Sequence, residues 1–167
     1  MTVVESVMAT STSNGRAGRR SADPLPDFHS APGHLFRRAR QFHDALWAET
    51  GLTPAQTVLG GFSMGTVMSY TLGLGPGRPA PAGVLAFSGF VPTVDDWSPD
   101  LAGRRGLRVF TAHGRGDPVI PVEFGRAARD VLEAGGIDVE YHESDAPHTI
   151  DPAWLAPARA WLGEVLG

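Results

Sequence analysis

Val58-Leu59-Gly60-Gly61-Phe62-Ser63-Met64-Gly65 is the stretch whose reading decides the architecture. Its apolar run marks Thr57 to Phe62 as a buried strand, and a helical pattern over Gly65 to Leu74 follows with no loop between. Gly61-Phe62-Ser63-Met64-Gly65 fits the G-x-S-x-G pattern, in which a serine occupies a sharp strand-to-helix turn. Ser63 is therefore a candidate nucleophile. A side chain at 61 or 65 would collide where strand and helix close around such a turn. The motif alone is weak in a chain with 21 glycines, and its place between an apolar strand and a helix is what gives it weight.

Outward from this stretch, strands and helices alternate. Upstream, Leu35, Ala39, Phe42 and Leu46 fall on one face of a helix over Leu35 to Glu49, stopped by Gly51. Downstream, Gly83 to Ser88, Leu107 to Ala112 and Asp138 to His142 read as further strands. Val122 to Ala134 is predicted helical, with Phe124, Ala128, Val131 and Leu132 inward and Gly135-Gly136 as its stop. Asp151-Pro152 is a helix start, followed by the stripe Trp154, Ala158, Trp161 and Val165. Continuous apolar strands separated by helices imply an α/β fold with a mostly parallel sheet covered on both faces.

Composition narrows the function classes. The 167 residues predict one domain, and 42% hydrophobic content supports a core. A net charge of −4 and a pI near 5.8 argue against a nucleic-acid partner. All 14 basic residues are arginine, which with abundant Ala, Gly and Pro reads as a coding bias. The absence of cysteine excludes a thiol nucleophile, disulfides and thiolate metal sites. No apolar run reaches the roughly 20 residues of a membrane span. The first twenty residues lack the pattern of a secretory signal, so the expected location is the cytoplasm.

In a parallel sheet the carboxyl ends of the strands share one edge, where ligands bind. Ser63 follows one such strand, Asp117 another in His113-Gly-Arg-Gly-Asp117-Pro-Val, and His148 a third in Ser144-Asp-Ala-Pro-His148. A serine hydroxyl needs an imidazole to take its proton, and the imidazole needs a carboxylate to fix its tautomer. Asp117 also fits a plain turn residue before proline. Asp95, Asp96 and Asp100 remain rival acids, and His113 and His142 rival bases. His29, His34 and His43 precede the elbow, out of order for this chemistry. No histidine spacing forms a metal-ligand pair, so neither a metal nor a cofactor is expected.

Leu59-Gly-Gly-Phe-Ser63-Met-Gly65, Phe87-Ser88-Gly89-Phe90, Ala112-His-Gly-Arg-Gly-Asp117-Pro-Val-Ile-Pro121 and His148-Thr149-Ile150 together resemble the phospholipase/carboxylesterase family of α/β-hydrolases, which includes the acyl-protein thioesterases. The resemblance runs from about Asp23 to the C-terminus, and the chain order Ser, Asp, His agrees with it. It implies a three-layer sandwich and a serine carboxylic-ester hydrolase with Ser63 as nucleophile, Asp117 as orienting acid and His148 as base. The Met64 amide would be one oxyanion donor. The expected partner is a small ester or thioester. Met64 stands where many members have glutamine, and Thr66 where many have a second glycine. Phe62, Met64, Phe90, Val91 and Trp97 fit either an apolar substrate wall or the core.

The front of the chain departs from that family, which has additional N-terminal strands, one leading into a His-Gly loop with the second oxyanion donor. Val3-Val4 and Val7-Met8 form one short apolar cluster that fits either a strand or no element, and Ser13-Asn14-Gly15-Arg16-Ala17-Gly18 is a weak echo of the loop without an apolar strand leading into it. Residues 1–22 are expected to be flexible, and 23–167 to form the hydrolase-like domain. Without the usual N-terminal strands, Thr57 to Phe62 would be an exposed edge strand that invites pairing with a second copy. The competing expectation is a shortened, weakly active or inactive homologue acting as an oligomerisation or binding module, or a non-functional fragment.

Overall fold

The computed structural model describes residues 2–5, 33–94 and 97–167. Its centre is a five-stranded sheet of β1 (Thr2–Glu5), β2 (Thr57–Phe62), β3 (Gly83–Phe87), β4 (Arg108–Gly114) and β5 (Asp138–Ser144). The strands lie in the order β1-β2-β3-β4-β5, and every pair is parallel. Helix α1 (Gly33–Thr50) precedes β2, α2 (Met64–Leu74) joins β2 to β3, α3 (Val122–Ala134) joins β4 to β5, and α4 (Leu155–Leu166) follows β5. Among the described residues of the β3–β4 connection, an isolated bridge between Val94 and Trp97 and a short 3-10 turn at Ala102–Arg104 are the regular features.

Crossovers of one hand that step one way across a sheet put their helices on one face. Accordingly Tyr70 and Leu74 of α2 and Leu132 of α3 pack with Val84, Ala86 and Val109 of the sheet. The alternate residues Val58, Phe87, Phe110 and Ala112 face the other way, where Trp154, Ala158 and Trp161 cover them. The result is the expected three-layer sandwich.

Three expectations are corrected. Strand β2 is not at an edge: Thr2 to Glu5 pair along it from Thr57 to Gly60, so the self-association expected through an exposed β2 loses its basis. The outer strands are β1 and β5, and β5 carries Asp138, Glu140, His142 and Glu143, charges and a polar ring that discourage edge pairing. In α1 the inward side chain is His43, buried with its Nδ1–H donating to Ala39 O at 2.8 Å, whereas Phe42 is 56% exposed. An imidazole that satisfies its own donor within the helix can be buried, and that turns the stripe toward Ala39, His43 and Trp47. In α3, Val131 is exposed and Val122, Gly125, Ala128 and Leu132 face in. Most of the expected flexible segment, the 13–18 stretch, and Asp95 and Asp96 lie outside the described residues.

Two polar devices tie the layers. Arg104 is buried and donates from Nε to Gly73 O at 2.7 Å and from Nη2 to Gly75 O at 2.7 Å and Arg78 O at 2.9 Å. It thereby satisfies carbonyls at the end of α2 that the helix leaves unpaired. On β5, Glu143 accepts two bonds from Arg126 of α3, at 2.7 and 2.8 Å, and one from the Tyr141 hydroxyl at 2.8 Å.

Arg104→Met should keep the fold's volume but strip the end of α2 of its donors, costing about 2–4 kcal/mol in denaturant melts. The Arg126 fork, against a smaller opposing effect of burial, holds the Glu143 carboxyl at about 2 instead of its ordinary 4.5. Its contribution to stability is present above pH 4.5 and is lost as pH falls toward 2. Glu143→Gln should lower stability at neutral pH and flatten the decline across that window, as read from urea midpoints against pH.

Candidate active site

The elbow forms because β2 runs directly into α2. Ser63 sits between them at φ 57° and ψ −120°, a left-handed conformation that a non-glycine residue adopts only under constraint. The constraint is visible on both sides. A Cβ at Gly61 would overlap the Gly65 backbone, so only glycine lets the helix return over the strand. The Ser63 N–H donates to Phe87 O at 2.9 Å, extending the sheet's bonding into the turn. The Thr66 hydroxyl lies 2.7 Å from Gly61 O and 2.8 Å from Phe87 O, and accepts the Phe87 N–H at 3.0 Å. The residue that departs from the family's usual glycine thus straps the ends of β2 and β3 together.

Asp117 arrives in the loop after β4, and its two oxygens have separate duties. Oδ1 accepts the amides of Val119 at 2.8 Å and Ile120 at 2.9 Å. Oδ2 accepts from His148 Nδ1 at 2.6 Å. The turn bonds expected of an aspartate before proline fall on Oδ1, and the contact with the histidine falls on Oδ2. A carboxylate only accepts, so His148 carries its proton on Nδ1 and leaves Nε2 free to accept. The Ser63 hydroxyl lies 2.9 Å from that nitrogen, oriented to donate. Burial alone would raise the Asp117 carboxyl. The bond from His148 and the two amides outweigh it and hold the group below the ordinary carboxylate range, charged at neutral pH.

The Met64 amide opens α2, where an N–H has no acceptor within the helix, and the positive end of the helix points at Ser63. Met64 also packs its side chain with Val67, Phe90, Ile120 and Phe124 to form an apolar wall beside the serine. The Phe62 ring lies 4.7 Å from the His148 ring. Two residues expected at the site are elsewhere. Val91 and Trp97 pack against the cluster of Tyr70 and Leu74. Trp97 approaches Gly75 at the far end of α2, which for an 11-residue helix is roughly 16 Å from Ser63.

Among the described rivals, Asp100 and His142 are engaged elsewhere. The Asp100 amide donates to Leu74 O, again at the far end of α2. His142 pairs with Glu140 at 2.7 Å and stacks on Phe110. His43 is within α1, bonded to Ala39. The amides of Val119 and Ile120 were missed from the sequence, although an aspartate before proline signals a turn that bonds its own backbone two and three residues on. The strap by Thr66 had no local signal, since its partners lie on another strand. Among the described residues no group of three metal-ligating side chains occurs, and no helix is long and apolar enough to cross a membrane.

Comparison with known proteins shows the family of the chain. The profile of the phospholipase/carboxylesterase family matches residues 35–165. Acyl-protein thioesterase 1 of Emericella nidulans is 30% identical over 137 residues, covering 77% of this chain and 57% of that protein. Acyl-protein thioesterase 1 of Gibberella zeae is 32% identical over 133 residues, covering 76% and 56%. The crystal structure of esterase PE8 superposes with a TM-score of 0.75 at 32% identity, covering 87% of this chain and 66% of that one. The chain spans little more than half the length of these thioesterases. With its matched region, its parallel sheet and its elbow, the chain belongs to the phospholipase/carboxylesterase family of α/β-hydrolases.

Proposed function

We propose that this chain hydrolyses carboxylic esters or thioesters through an acyl-enzyme formed on Ser63. The observation that carries the reading is the continuous hydrogen-bond relay from Asp117 through His148 to Ser63, at 2.6 and 2.9 Å. In this mechanism Ser63 Oγ attacks the acyl carbon while His148 Nε2 takes its proton. The oxyanion that forms meets the Met64 amide and the positive end of α2. His148, now charged and held by Asp117, gives the proton to the departing alcohol or thiol. Water then enters, His148 takes one of its protons, and the resulting attack returns the acid and the free serine.

Phe62, Met64 and Phe90 are the expected substrate-lining residues that lie beside the relay, and they favour an acyl or alcohol group with an apolar part. The competing reading, a binding module without turnover, has no use for a charged, buried carboxylate aligned on an imidazole and a strained serine. The relay therefore favours hydrolysis.

Ser63→Ala should abolish turnover of an activated short-chain ester and labelling by a fluorophosphonate, with the label on the parent mapping to Ser63 by mass spectrometry. Asp117→Asn should lower kcat by about 10⁴ at neutral pH, because the amide stabilises the wrong tautomer of His148. Unchanged turnover in either variant would overturn the assignment.

A further inference from the structure

We propose that His113 is a positioning residue for the relay: seated against Gly125 of α3, its imidazole holds the Ile120 backbone that in turn holds Asp117, and leaves the Asp117 Oδ2 to His148. This rests on the hydrolase reading above.

His113 is fully buried at the end of β4. Its Nε2 lies 2.8 Å from Ile120 O and 3.6 Å from Asp117 Oδ2. A carbonyl only accepts, so the ring proton sits on Nε2 and is given to Ile120. The second distance is too long for a hydrogen bond and near enough for electrostatic coupling. Ile120 is thus gripped twice: its N–H donates to Asp117 Oδ1, and its C=O accepts from His113. The carbonyl belongs to the peptide before Pro121, whose nitrogen has no hydrogen to anchor it.

The other ring nitrogen, Nδ1, is buried without a hydrogen-bond partner. It faces Gly125, where a Cβ would come within 2.5 Å of it. A glycine inside a helix costs about 0.5–1 kcal/mol relative to alanine. Here it makes room for the ring and leaves Nδ1 as a bare lone pair, which is the neutral imidazole. The groups that bear on its charge are Asp117 in its own loop, Glu143 from β5 and His148 from the segment after β5. Burial is the strongest influence and pushes the imidazole's pKa down, against the Ile120 carbonyl and the two carboxylates.

Neutrality matters for the chemistry. During attack His148 becomes an imidazolium on Asp117 Oδ2. A charged His113 would place a second cation 3.6 Å from that same oxygen and weaken the first. A neutral donor that fixes the loop and carries no net charge avoids the competition.

The test compares the parent with His113→Phe, His113→Gln and Gly125→Ala. It measures the rate of fluorophosphonate labelling, and kcat, KM and the pH profile on an activated short-chain ester. His113→Phe fills the space without a donor; kcat should fall roughly tenfold or more with KM unchanged, and the acid limb of kcat/KM should move to lower pH. His113→Gln, whose side-chain N–H reaches the Ile120 carbonyl, should recover most of the rate. Gly125→Ala keeps every polar group of the 113–121 loop and improves the helix, yet it should slow labelling by displacing the ring. Folded His113→Phe with the parent's kcat and acid limb overturns the inference, as does His113→Gln as slow as His113→Phe. If His113→Phe melts below the assay temperature, Gly125→Ala decides, and parent-like labelling overturns the inference. A labelled parent with unaffected variants removes this inference alone, whereas an unlabelled parent removes the hydrolase reading and this inference with it.

Discussion

The left-handed turn at Ser63 is the constraint on which the rest of the molecule depends. Holding a non-glycine residue there costs of order 1–3 kcal/mol, and the surroundings must over-determine it. Gly61 lets α2 fold back onto β2, the Ser63 amide is bonded to β3, and Thr66 clamps the ends of both strands. Once α2 is committed to this return, its far end needs a partner for its carbonyls, and Arg104 from the β3–β4 connection fills that role. The irregular crossover is thereby pinned to the helix, and Trp97 is pinned with it beside Tyr70 and Leu74. A single backbone conformation thus propagates to a segment that sequence periodicity leaves undescribed.

What was legible in the sequence was local and repetitive. Thr57 to Phe62, the helix behind it, the five later elements and the order of Ser63, Asp117 and His148 were readable because periodicity and turn chemistry are written within a few residues. The structure brings those three side chains into one chain of hydrogen bonds. What was not legible depends on contacts distant in sequence. The apolar cluster at Val3-Val4 leaves a strand and no element equally open, and only the pairing of Thr2 to Glu5 with β2 decides for the strand. Arg104 reads as one more surface arginine until carbonyls 26 to 31 residues away surround it. Phe42 outranks His43 on any hydropathy scale, yet the histidine is inside because Ala39 accepts its proton.

The same contrast divides the site-lining residues. Phe62, Met64 and Phe90 adjoin the serine because they follow the ends of adjacent strands, a position that topology fixes. Val91 and Trp97 follow in sequence but leave the sheet edge and descend along the helical layer. Proximity along the chain to a strand end is thus informative for only one or two residues, after which the loop's own packing decides. His113 and Asp117 illustrate the complementary case: four residues apart, one at the end of β4 and the other in the loop behind it, both bond Ile120, and Asp117 also accepts from His148.

The last helix has a consequence for the order in which the molecule is made. One face of the sheet is covered by Trp154, Ala158 and Trp161, and His148 lies in the segment just before them. During synthesis Ser63 and Asp117 leave the ribosome well before either. The nascent chain can close β2 against β3 and fold α2, but Ser63 has no imidazole partner and the opposite face of the sheet has no cover. The hydrogen bonds from Asp117 through His148 to Ser63 and the cover of that face are therefore completed together, after β2, β3 and β4 have been made. Until then its open aromatic face is the surface a chaperone would recognise.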